Sequence, residues 1–256
     1  MDYYTGNGVY DYLIECDERE KFYWTSGNIW MLVYGDEQYD PRVLTVVSEN
    51  LLRIPLTQEE SEAIRTAKYI TENTDVPIAF VRFEAEKNIE NVLFWENDMK
   101  SMEHISSDEL RRRFAQFGLK VNEASSHKSI NDKSSSPYHD WQRENMGDAI
   151  VVADIDLVRR EGNKPVEVIE LKRSYIELEN WEPFRKDYKN FILISKLARK
   201  RGIEFYIVYN KRIKTPFYDD VSRLKIFEFD HRMQSYCKLL KYASIKQFVE
   251  KPTKEN

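Results

Sequence analysis

Cysteine is almost absent from this sequence: Cys16 and Cys237 are its only two in 256 residues, and they form no CxxC pair. That excludes a disulfide-stapled scaffold and a cysteine-based zinc site, and it fits a reducing cytoplasm. No apolar run approaches the roughly 20 residues that cross a bilayer. The opening MDYYTGNGVYDYLIECDERE has neither the basic nor the apolar region of a secretory signal. A cytoplasmic protein without membrane contact is therefore expected. Eight glycines and eight prolines are too few for a collagen-like or low-complexity chain. What is present is ample for folding: 41% apolar, 13% aromatic and 32% charged residues exclude a disordered chain. The length suits one large domain or two small ones, and either could bury a core.

Charge divides unevenly. Residues 1–122 carry 13 Lys+Arg against 23 Asp+Glu, a net of −10, and residues 123–256 carry 26 against 21, a net of +5. A mildly basic half can hold a phosphate backbone from which an acidic half is repelled. Between them EASSHKSINDKSSSP, residues 123–137, is rich in Ser, Asn and Lys, lacks apolar periodicity and ends in proline. It reads as a linker or mobile loop. Three segments follow: an acidic domain over 1–122, a linker over 123–137 and a second domain over 138–256.

In the first half, VYDYLIE, KFYWTSGNIWMLVYG and RVLTVVSE read as strands from their β-branched and aromatic content. Thr57-Gln-Glu-Glu opens a helix, PIAFVRFE and ENVLFWEND form a strand pair, and SSDELRRRFAQFG is a short amphipathic helix capped by Ser107 or Asp108. In the second half, YHDWQRENMGDA is a short helix, and IVVADIDLV and PVEVIELKRS are strands joined by a turn at Glu161-Gly162-Asn163. A helix from about Glu179 to Arg201 stops at Gly202, EFYIVYN is an apolar central strand, RLKIFEFD is another strand and YCKLLKYASIKQFVEK a final helix.

The chemistry concentrates on the two joined strands. Ile150, Val152, Asp154 and Asp156 alternate onto one face of the first, and Val168, Glu170 and Lys172 share a face of the second. A hairpin brings two acidic clusters and a lysine to one strand end. Grouped carboxylates ask for a cation, and hard oxygen ligands suit Mg²⁺. A neighbouring lysine can hold water or offset developing charge. Asp98-Met-Lys100 and Asp187-Tyr-Lys189 repeat the acidic-x-Lys spacing without an upstream acid on an adjacent strand. His139 is read as structural, and His104 and His127 have no partner spacing. Trp24, Trp30, Trp95 and Tyr34 are read as core or interface.

Asp154-Ile-Asp156…Glu170-Leu-Lys172 resembles the signature of the PD-(D/E)XK, or restriction-endonuclease-like, nuclease superfamily. The resemblance covers roughly residues 138–230, with the order helix, Asp strand, ExK strand, helix, apolar strand. It implies, for the C-terminal half, an α/β (α+β) fold with a mixed β-sheet flanked by helices; the smaller β-rich α+β domain before it is expected from its own strands and helices. It implies that Asp156, Glu170 and Lys172 are catalytic. Asp156, Glu170 and the Leu171 carbonyl would ligate Mg²⁺, with Mn²⁺ as substitute, and Lys172 would orient the attacking water. Glu144 matches the position of a further carboxylate, and Asp154 competes with Asp156 for the Asp role. Ala153 and Ile155 stand where the family often has proline, which leaves that choice open. Arg173, Ser174, Lys211, Arg212 and Lys214 are the candidate nucleic-acid contacts.

The expected function is a metal-dependent nuclease, foremost a DNA endonuclease of restriction, defence or recombination type. The alternative is a catalytically inactive module of the same fold that binds nucleic acid or scaffolds a complex. A homodimer and a protein partner for the acidic domain both stay open, as do DNA against RNA and endo- against exonuclease action.

Overall fold

The computed structural model describes residues 7–25, 27–85, 89–97, 100–121, 136–250 and 253. Most of the expected linker, His127 and the Asp98-Met99 part of one acidic-x-Lys repeat lie outside those residues. The chain forms two compact units, each α+β, with a mixed six-stranded sheet flanked by helices. The first comprises Met1–Tyr3 and Thr25–Asp154, the second Tyr4–Trp24 and Ile155–Asn256. Residues 138–154, expected in the second domain, group with the first unit. The charge asymmetry follows these units: the first carries a net −10 and the second a net +5.

The second unit begins with α1 (Gly8–Glu15) and β1 (Phe22–Tyr23). VYDYLIE, expected as a strand, is helical for local reasons. The Asn7 side chain accepts the Val9 N–H at 3.1 Å as an N-cap, and Val9, Tyr10 and Leu13 bury one face. β-Branched and aromatic content is a weak preference that a cap and a sheet to pack on override.

In the first unit, β2 (Ile29–Gly35) and β3 (Pro41–Glu49) pair antiparallel. Then α2 (Gln58–Thr71) crosses over to β4 (Ile78–Phe83), which runs parallel to β3. Thr57 and Glu60 cap α2 reciprocally in a capping box. β5 (Asn91–Glu96), β6 (Glu103–Ser106), α3 (Ser107–Gln116, capped by Ser106), α4 (Pro137–Asn145) and β7 (Val151–Asp154) follow. The strand order is β6-β5-β4-β3-β2-β7. Its core holds a fully buried ion pair between Arg82 and Glu60. Arg82 also donates to the carbonyls of Leu51, Ile54 and Pro55, and the Ser48 hydroxyl donates to Glu60. Trp30 and Tyr34 are core residues here, as expected.

The second unit resumes with β8 (Leu157–Glu161), β9 (Lys164–Ser174), α5 (Tyr188–Arg201), β10 (Glu204–Ile213), β11 (Tyr218–Phe229), β12 (Cys237–Ala243) and α6 (Ile245–Glu250). The order is β1-β8-β9-β10-β11-β12; β9 and β10 are parallel, joined through α5, and the other pairs are antiparallel. One sheet face, with Leu157, Ile169, Tyr206 and Val208, packs against α1 and α6. On the other, Phe191 of α5 meets Phe205 and Phe229.

Three expectations need correction. IVVADIDLV is not one strand: Val151–Asp154 pairs with β2 in the first unit, and Leu157–Glu161 pairs with β9 in the second. The long helix starts at Tyr188 rather than Glu179: a turn over 178–180, an irregular stretch with Pro183 and a 3-10 turn at Arg185–Asp187 precede it. The expected last helix is a strand over Cys237–Ala243 before a short helix, since CKLLKYA completes the sheet edge beside β11.

Candidate active site

The hairpin of β8 and β9 builds the site. Its ladder ends at Leu157↔Ile169, so Asp156 stands one residue beyond the paired stretch, beside Glu170. With the ladder finished, the Leu171 N–H has no strand partner on that side, and the Asp156 carboxylate accepts it at 2.8 Å. The N–H and C=O of one strand residue point the same way, so the Leu171 carbonyl turns toward the side of Asp156 as well. The backbone of Asp156 is fixed too: the Tyr10 hydroxyl of α1 donates to its carbonyl at 2.8 Å.

Glu170 and Lys172 are two apart on β9 and share the face that looks toward α5. Their side chains meet at 2.5 Å, Glu170 being 10% and Lys172 32% exposed. The lysine head lies 5.5 Å from the centroid of the Phe191 ring. Burial opposes the charge on Lys172, but the Glu170 and Asp156 carboxylates outweigh it, with Asp187 before α5 adding to them. The ammonium is thus held well above its ordinary range. It stays protonated through neutral pH, as a cation and donor rather than a base.

Two carboxylates and a backbone carbonyl on adjacent strands form a hard-oxygen donor set. Among the described residues no group of three or more His, Cys, Asp or Glu side chains gathers to hold a metal ion. Mg²⁺ needs no such group, because it binds through one or two carboxylates and keeps several waters. Asp156, Glu170 and the Leu171 carbonyl are donors of the type it takes.

Of the other expected residues, Glu144, exposed on α4, and Asp154, exposed at the end of β7 opposite Leu32, belong to the first unit. Asp156, just before β8, belongs with Glu170 and Lys172 to the second. Arg173 and Arg212 converge on the buried Asp219 at 3.3 and 2.8 Å, and Asp219 also accepts the Gly8 N–H at 3.2 Å. A Cβ at Gly8 would meet the Asp219 Cβ at 2.9 Å, so the close approach of α1 requires glycine. Ser174 bonds the Tyr209 hydroxyl at 2.9 Å, and Lys211 pairs with Glu177 at 2.5 Å. Lys214 is exposed, and among the described residues it has no ion pair; its head lies 4.6 Å from the Tyr175 ring.

Sequence reasoning missed Tyr10 and Asp187. Tyr10 could have been found from Val9 and Leu13 at helical spacing behind the capping Asn7, whereas Asp187 carried only its place before a helix. Elsewhere Ser195, His231 and Asp230 lie together without forming a relay. Both Ser195, at 3.0 Å, and Asp230, at 3.8 Å, approach the same ring nitrogen, Nδ1. A nucleophile–base–acid relay uses the two nitrogens separately.

No protein-family model matches the chain, and no curated protein matches it. Among solved structures, the C-terminal domain of the sex pheromone staph-cAM373 precursor from Staphylococcus aureus aligns over 85% of this chain and 71% of that chain. The identity is 9% and the TM-score 0.16. A sex pheromone precursor from Lactobacillus salivarius aligns over 86% and 70%, at 8% identity and a TM-score of 0.17. Similarity at that level carries no argument about fold or function. Among the described residues no helix is long and apolar enough to cross a membrane.

Proposed function

We propose that this protein is a Mg²⁺-dependent phosphodiesterase that hydrolyses nucleic acid, with DNA as the first substrate to test. The observation that supports it is the meeting of Asp156, Glu170 and Lys172 at one strand end, where Asp156 is held by Leu171 and Tyr10. A Mg²⁺ ion on Asp156, Glu170 and the Leu171 carbonyl would supply Lewis-acid activation of water and of the phosphodiester. The chain's own residues do the rest. Lys172, kept charged by its two carboxylates, donates to the attacking water and stabilises negative charge building on the phosphoryl oxygens. Glu170 holds that ammonium in place, and Phe191 walls one side of it, which limits its rotamers. The Tyr10 bond keeps Asp156 at the strand end in a pre-set position.

The test is cleavage by the purified full chain with Mg²⁺, Mn²⁺ or EDTA, beside Lys172→Ala. The substrates are linear and supercoiled DNA, single-stranded DNA, branched junctions and RNA. Metal-dependent cutting that disappears in the variant is the expected result. Cutting that persists in Lys172→Ala, or none with any substrate, would overturn the reading; retained binding without cutting would indicate a non-catalytic module.

A further inference from the structure

Past the site the β9–β10 ladder ends with Ser174 opposite Lys211, and β10 runs on with β11 as a hairpin that projects beyond it. Aromatic side chains usually seek cover, yet here they stand in the open. Phe217 is 64% exposed, Tyr175 and Tyr218 are each 48% exposed, and Ile176 beside them is 38% exposed. Cations lie against two of these rings: the Arg212 guanidinium is 5.2 Å from the Phe217 centroid, and the Lys214 ammonium is 4.6 Å from that of Tyr175. The base of the group is firm. The Tyr209 hydroxyl bonds the Ser174 and Ile176 carbonyls at 3.1 and 2.6 Å, and its ring stacks on Trp181 at 4.2 Å. The backbone on either side of Tyr175 is thereby fixed while its ring stays open to a partner.

We infer that Tyr175 and Phe217, with Lys214 between phosphate and ring, form a stacking platform for unpaired bases of single-stranded nucleic acid beside the Asp156–Glu170–Lys172 cluster. The inference rests on the function proposed above and specifies its substrate as single strands or frayed ends. Three observations favour that occupant. Tyr175 stands just past the end of β9, three residues after Lys172, so a single strand stacked on its ring has only a short way to run to the cluster. A duplex hides its base faces within the stack, whereas single strands offer them to aromatic rings. The charge pattern also suits stacking better than a phosphate track, because Arg173, Arg212 and Lys211 are already paired with Asp219 and Glu177. Lys214 is left as the hairpin's phosphate contact.

The experiment is fluorescence anisotropy of the full chain with a labelled single-stranded thymidine 20-mer and with a duplex of that length, both in EDTA so that nothing is cut. Tyr175→Ala with Phe217→Ala should weaken single-strand binding about 5- to 150-fold, the range for loss of base–aromatic stacking. Duplex binding should stay within about twofold. Tyr175→Phe with Phe217→Trp should bind the single strand like the native chain, since both keep a ring. Lys214→Gln should reduce the slope of log K against log salt by about 0.7, one single-strand phosphate. The inference is overturned if the double alanine variant binds the single strand as the native chain does, if single strand and duplex weaken equally, or if the native chain binds no oligonucleotide. Cleavage, read separately with Mg²⁺, tells the two readings apart. A native chain that cuts while the alanine variant binds normally loses the platform alone. A native chain that binds through the platform but cuts nothing loses the nuclease reading alone.

Discussion

Replacing Lys172 by methionine tests the site through charge alone. Methionine keeps an unbranched apolar stem against Phe191 but removes the ammonium that meets Glu170 at 2.5 Å. Two unit charges 4 Å apart attract by about 1 kcal/mol in water and about 4 kcal/mol at the effective dielectric of a protein surface. With Lys172 one-third exposed and Glu170 one-tenth exposed, the environment lies between those limits. Ordering the lysine costs about 1.5–2 kcal/mol of that attraction. The expected loss of stability is therefore at most about 2.5 kcal/mol near pH 8, between that of a surface pair and a buried one. Its pH dependence has a definite sign. Burial opposes the charge on Lys172, but Glu170 and Asp156 raise its folded pKa, so the stability it contributes is fully present below the ordinary lysine value and is lost as pH rises through the folded one. The difference between native and variant should be constant near neutral pH and shrink above about pH 10. Thermal unfolding of native and variant chains between about pH 7 and 11 measures this, and cleavage in Mg²⁺ measures function, where the loss of the cation should cost at least about 100-fold. The reasoning fails if the difference in stability grows as pH rises, or if the variant cuts within threefold of the native rate.

Two further outcomes follow from the units. Burial opposes the charge on Glu60, but Arg82, the Thr57 N–H and Ser48 outweigh it and lower its pKa, so its contribution to stability is present above the unfolded value and lost as pH falls through the folded one. Arg82→Met leaves that carboxylate buried and unpaired and should cost about 3–5 kcal/mol, with Glu60→Gln in the same chain recovering at least half; chemical denaturation checks both, and an unchanged midpoint for the single variant contradicts the pairing. Residues 4–24 joined by a short linker to 155–256 should fold with two-state melting and dispersed amide resonances, whereas 138–256 alone should not, because it lacks Val9, Leu13, Phe22 and Trp24, all at 0–2% exposure. A cooperatively melting 138–256 fragment would refute this.

The residues that make the hairpin were legible because every signal agreed locally: alternation in PVEVIELKRS, a turn at Glu161-Gly162-Asn163, and an acid beside the strand. Thr57 and Glu60 were legible for the same reason, since a capping box is a contact between near neighbours. What could not be read was sheet membership. Nothing local in IVVADIDLV says that Val151–Asp154 pairs with β2 and Leu157–Glu161 with β9, because strand pairing is a long-range choice made by cores not yet assembled. The same limit hid β12, where CKLLKYA carries helix-forming Leu and Lys but supplies the partner that β11 needs. It also hid α1, whose aromatic residues suit a strand until Asn7 and the cluster around Phe22 and Phe248 are considered.

One arrangement sets the position of Asp156. β1 and β8 are antiparallel neighbours, with Phe22 opposite Arg159 and Tyr23 opposite Val158, so Trp24 and Leu157 stand side by side. The first unit is thus an insertion at the turn of a β1–β8 hairpin, and Asp156 is the second residue after the chain returns. A position so close to an insertion point is poorly fixed by covalent geometry alone. Three contacts within the second unit fix it instead: the Leu157↔Ile169 pairing, the Leu171 N–H on the carboxylate and the Tyr10 hydroxyl on the carbonyl. Tyr10 comes from the short segment before the insertion, 146 residues away. A segment read as a strand in the sequence therefore anchors, as a helix, the residue on which the proposed chemistry depends. All three contacts lie inside one unit, the unit that also carries Glu170 and Lys172.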